Sequence, residues 1–81
     1  MDPKRWDKAV EIELGRTGHI HRVTSTQEAA EILLAKWPIK GGRMHLAARI
    51  ACLDVLEGVQ PPEYAREAFL AAADEAGMFV R

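Results

Sequence analysis

The sequence predicts a single α+β domain in which an antiparallel β-hairpin is packed on one face by three α-helices, in the order ββααα. Three observations lead there. "AVEIEL" and "HIHRVT" flank a glycine-bearing turn, and the first alternates apolar and acidic residues with period two. Three segments with helix-period apolar stripes follow, each bounded by capping or breaking residues. The 81 residues leave room for one domain, spanning 1–81, with no linker, repeat or low-complexity tract.

In the first strand Val10, Ile12 and Leu14 alternate with Glu11 and Glu13, and Gly15-Arg16-Thr17-Gly18 supplies the turn. A four-residue loop then sets Leu14 opposite His19, Ile12 opposite His21 and Val10 opposite Val23. On the other face Glu13 meets Ile20, Glu11 meets Arg22 and Ala9 meets Thr24. This register joins the apolar sets and pairs opposite charges across the strands.

Ser25-Thr26-Gln27-Glu28 has the S-x-x-E form of a capping box and opens the first helix. Its predicted buried stripe is Ala29, Ala30, Leu33, Leu34 and Trp37, and Pro38 marks the stop. Ile32 falls on the wet side of that stripe. The second helix runs from near Gly42 to just before Gly58, a suitable C′ residue. It shows two apolar faces: Met44, Ala47, Ala48, Ala51 and Val55 on one, Leu46, Ile50 and Leu53 on the other. A helix apolar on two sides is expected to be the central element, wrapped on both flanks with Cys52 dry. In the third helix Pro62 suits N1 and Glu63 suits the positive end of the dipole. Its stripe is Ala65, Ala68, Phe69, Ala72, Ala73 and Ala76, with Leu70 on the charged side and Gly77 ending the helix. Residues 78–80 are expected either to pair as a third C-terminal strand or to staple the C-terminus.

Composition narrows the function classes. Apolar residues are 48%, charged residues 28%, and the net charge is −1 with signs interspersed. This is globular composition without the basic excess of a nucleic-acid binder. The lone cysteine excludes an internal disulfide. With no signal-peptide pattern after Met1 and no long apolar run, the expected setting is cytoplasmic, away from membranes. A chain this short buries only roughly 60% of its unfolded surface, and oligomerisation is a common remedy.

The motifs "S-x-x-E-A-A-x-x-L-L-x-x-W-P", "G-x-x-x-x-x-A-R-x-A-C-L-x-x-L-x-G" and "A-R-x-A-F-x-x-A-A-x-E-A-G" follow an early tryptophan, Trp6. Taken together they resemble a family of small proteins of soil and plant-associated bacteria, domain of unknown function 982. The resemblance spans Trp6 to Val80; it implies a small α+β domain of the bacterial cytoplasm and no reaction, so it carries no catalytic or binding residues.

The residues themselves offer several candidate sites. Lys40, Gly41, Gly42 and Arg43 stand where a helix N-terminus would present free amides to an anion. The spacing is not that of a P-loop, and the first-ranked reading is glycine serving a tight turn. Lys36, Lys40, Arg43, His45 and Arg49 would form the basic side of a helix-turn-helix, against which the apolar second helix and acidic net charge both argue. His19, His21 and His45 lack the spacing of a zinc site, and no metal or cofactor is implied. Cys52 has Arg49 one turn earlier, but a core thiol makes no nucleophile, so the reading leans away from an enzyme. Ile32 and Leu70, apolar on outer faces, are the candidate interface for self-association. The expected function is therefore a small interaction or regulatory module, with a protein partner or a second copy. The alternatives are a binder of a small anionic ligand at Gly41-Gly42 and, after it, a nucleic-acid-binding helix-turn-helix.

Overall fold

The computed structural model describes residues 4–14, 19–38, 41–78 and 80. Strands β1 (Arg5–Leu14) and β2 (His19–Ser25) form a two-stranded antiparallel sheet, followed by helices α1 (Thr26–Ala35), α2 (Arg43–Leu56) and α3 (Pro62–Glu75). The order is ββααα, as predicted. The glycine-bearing turn at 15–18 lies outside the described residues.

The hairpin register is the expected one from Val10↔Val23 to Leu14↔His19. Val10, Ile12 and Val23 are buried, and on the opposite face Arg22 and Glu11 form an ion pair at 3.3 Å. Beyond Val10 the expected Ala9–Thr24 pairing gives way to an irregularity, and the ladder resumes at Arg5↔Ser25. Four residues of β1, Trp6 to Ala9, thus stand against one of β2, Thr24, which bends the strand and turns Trp6 into the core. Arg66 of α3 donates from Nε to the Lys8 carbonyl, 2.9 Å away, within that irregular stretch. At the other end Val80 makes a single antiparallel bridge to Ile12. Phe79 lies outside the described residues, so of the segment 78–80 expected to pair or to staple, this bridge is what the structure describes.

Ser25 caps α1 as expected, its Oγ accepting from the Glu28 amide at 3.2 Å. Glu28 reaches back one residue further than the standard box, accepting from the Thr24 amide at 2.7 Å. The next residue, Thr26, is fully buried and ties the sheet to the helix. Its hydroxyl donates to the Lys4 carbonyl (3.1 Å) and accepts from Trp6 Nε1 (3.0 Å). Trp6 therefore buries its ring with its N–H satisfied.

Phe69 of α3 is the centre of the core. Its ring lies 5.7 Å from that of Trp6 and 5.5 Å from that of Trp37. Around it Ala65, Ala72 and Ala73 are fully buried, so the alanine stripe brings α3 close to its neighbours as expected. Gly58 (φ +82°) and Gly77 (φ +71°) end α2 and α3 in the left-handed conformation. In both, the following two amides bond back to the last turn: Gly58 to Val55 and Val59 to Asp54, then Gly77 to Asp74 and Met78 to Ala73.

The structure corrects two helix faces. On α1, Thr26, Ala29, Ile32 and Leu33 are buried while Leu34 is 56% exposed. The buried arc is rotated roughly 60° from the predicted one, at 100° per residue. Ile32 falls between Glu28 and Lys36 on the helix, but Glu28 is turned back onto the Thr24 amide as part of the cap, and the arc beside it packs inward. Trp37 is buried as expected, beyond the helix end at Ala35. On α2, Ala48, Ala51, Cys52 and Val55 are covered by α1 and α3, while Leu46, Ile50 and Leu53 are 54%, 52% and 55% exposed. The helix is wrapped on one flank, not two: among the described residues no further layer covers the other.

Candidate functional site

The Gly41-Gly42 joint holds an anion, and the anion belongs to the chain. Met44 N–H donates to both carboxylate oxygens of Glu75, at 3.1 and 3.0 Å, and His45 N–H donates to Oε1 at 3.2 Å. Gly42, the N-cap residue of α2, offers no side-chain cap, so the last residue of α3 supplies one. The two glycines serve different needs. Gly41 has φ +90°, a backbone that favours glycine, with open space around a notional Cβ. Gly42 has an ordinary extended φ of −70°, but a Cβ there would collide with the Glu75 carboxylate. Arg43 is exposed at the first position of α2, and Lys40 lies outside the described residues. An external anion would have to displace Glu75.

The remaining sequence-predicted residues disperse. His45 is buried, stacked on Trp37, with Nε2 2.8 Å from the Leu33 carbonyl oxygen. A carbonyl only accepts, so Nε2 carries the proton and that nitrogen is committed to α1. This removes His45 both from the basic side imagined for a helix-turn-helix and from a grouping with His19 and His21. Among the described residues no three His, Cys, Asp or Glu side chains gather as a metal would require. Cys52 is 1% exposed, and burial pushes its thiol up to about 11. Such a sulfur is a poor nucleophile. Ile32 is 6% exposed and Leu70 is half-buried against the core, so neither provides the outer apolar surface expected of it.

That surface exists elsewhere. Leu34 of α1 and Leu46, Ile50 and Leu53 of α2 line a groove of about 350 Å³, together with Ala30, Arg49 and Leu56. It is the predicted second face of α2, left open. Large apolar side chains grouped this way are unlike the single exposed leucines that any surface carries.

The family model described as protein of unknown function, DUF982, matches residues 8–80. The chain belongs to that family. The NMR structure of an Agrobacterium tumefaciens protein, a structural-genomics target, is 34% identical and superposes with a TM-score of 0.79. The match covers 94% of this chain and 75% of that one. No curated protein matches the chain. Among the described residues of this DUF982 domain, no helix is long and apolar enough to cross a membrane.

Sequence reasoning missed Glu75, which lies 31 residues from the amide it caps. One signal did point to it. A helix preceded by Gly-Gly, with no Ser, Thr, Asp or Asn at the cap, needs an acceptor from elsewhere in the fold.

Proposed function

We propose that this DUF982 domain is a small non-enzymatic interaction module of the cytoplasm, and that the open apolar face of α1 and α2 is where a protein partner docks. The observation that carries the reading is the grouping of Leu34, Leu46, Ile50 and Leu53, each with about half its surface open, in a chain of 81 residues. The two alternatives read from the sequence find less support. An anionic ligand must compete with Glu75 at equilibrium, an intramolecular carboxylate already seated on the Met44 and His45 amides. A helix laid in a nucleic-acid groove needs polar side chains on its outer face, where α2 has Leu46, Ile50 and Leu53.

The test is a photo-cross-linking amino acid introduced at Ile50 and, as a control, at the exposed Glu67 of α3, in cells of the native host. The reading expects a protein adduct from position 50 and none from position 67. A chain that yields no protein adduct from position 50 contradicts it.

A further inference from the structure

The open face ends in charges that are wrong for the helix that carries them. Arg43 stands at the N-terminus of α2, where the macrodipole is positive, and Glu57 at its C-cap, where it is negative. The first turn of α2 has no acidic residue and the last turn no basic one. Each placement is unfavourable in isolation. Both side chains are exposed, and among the described residues neither makes an ion pair or side-chain hydrogen bond.

Glu75 shows how this molecule resolves such a conflict. It is an acid in the last turn of α3, unfavourable there, and it is satisfied by the N-terminal amides of α2. No neighbouring element does the same for Arg43 and Glu57. A helix running antiparallel to α2, with a base near its N-terminus and an acid near its C-terminus, would complement both charges. α2 is itself such a helix.

The spacing supports this. Arg43, Leu46, Ile50, Leu53 and Glu57 recur at intervals of three and four, one straight seam along the exposed side of α2. Ile50 is seven residues from either end of that seam. In an antiparallel pair crossing at Ile50, Arg43 of each copy meets Glu57 of the other, and Arg43 comes to lie beside the C-terminal dipole end that favours it, the N-terminal amides being already taken by Glu75. Leu34 of α1 flanks the same groove, so two α1–α2 layers laid face to face make a four-helix arrangement.

Resting on the interaction reading above, we propose that the occupant of this face is a second copy of the chain, paired through antiparallel α2 helices about Ile50 and locked in register by two reciprocal Arg43–Glu57 ion pairs.

Sedimentation equilibrium of the full chain from about 10 μM to 1 mM, a range suited to a small interface, tests it. The average mass should rise from 9.0 kDa toward twice that value. Ile50→Glu should weaken association at least about tenfold, as loss of a central apolar contact does, with the far-UV spectrum unchanged. Arg43→Glu and Glu57→Arg should each weaken it about threefold or more, and the double reversal should return it to within about twofold of wild type. A monomer at every concentration overturns the proposal, and so does a dimer indifferent to Ile50→Glu. A double reversal no better than the single ones overturns the antiparallel register. A persistent monomer whose position-50 probe captures a different protein defeats the second copy and leaves the interaction reading standing; no adduct at all defeats both.

Discussion

Helix α2 has two apolar faces of opposite fate. One, through Ala48, Ala51, Cys52 and Val55, lies against α1 and α3 and is nearly dry. The other, through Leu46, Ile50 and Leu53, stands open. The buried face is built of small residues and the open face of large ones. Small residues let helices approach closely inside the chain; large ones offer more area for an occupant from outside. Apolarity alone thus says that a face wants covering, and side-chain size shows which cover is intramolecular.

The sharpest way to break this comparison is to place the same charge on neighbouring residues. Ala48→Asp buries an uncompensated carboxylate and should destabilise the domain by roughly 3–5 kcal/mol, enough to leave it largely unfolded at 25 °C. Ala47→Asp, one residue earlier on the exposed side, should stay within about 0.5 kcal/mol of wild type at high dilution. Urea titration followed by circular dichroism reads both. Equal effects would mean that the two faces are not distinct.

The next largest effect concerns the dry thiol. Cys52 in the folded chain titrates at about 11 against 9.0 for a free thiol. The unfolded chain therefore loses its proton first as pH rises, and the fold loses stability from about pH 9 upward. Across that window the loss approaches roughly 2–3 kcal/mol at 1.36 kcal/mol per pH unit. Unfolding titrations from pH 8 to 11 should show this slope in wild type and a shallower one in Cys52→Ala, which lacks the titrating group.

Removing the Glu75 cap is smaller. Glu75→Ala should cost about 1 kcal/mol, the usual value of a helix cap, and expose the Met44 and His45 amides to faster hydrogen exchange. Gly42→Ala should cost a similar amount, since its Cβ displaces the same carboxylate. The two losses should not add, because they remove one interaction.

Much of the fold was legible, and the particular failures are instructive. The hairpin register followed from alternation and cross-strand charge, down to the Glu11–Arg22 pair. The caps at Ser25, Gly58 and Gly77 followed from local chemistry. Ile32 misled because it falls between Glu28 and Lys36 on the helical wheel, a flank that reads as wet, whereas Glu28 is occupied as the cap on Thr24 and that flank packs inward. The segment before Val10 carries no alternation because β1 is irregular there, so Trp6 and Thr26 could not be seen to meet. At the joint the sequence favours a tight turn over an anion cradle, and the carboxylate that does sit there comes from the far end of α3, a proximity that no local pattern encodes. The apolarity of the outer face of α2 was read correctly; its exposure depends on how many layers the chain can supply.

Alkylation of two positions on α2 tests the central claim most directly. Wild-type Cys52 should react with iodoacetamide at least about a thousandfold more slowly than an unfolded thiol, gated by opening of the domain. In a Cys52→Ala background at high dilution, the thiol introduced by Ile50→Cys should react nearly as fast as a free one. Comparable rates at the two positions in the folded chain would contradict the division of α2 into a covered face and an open one.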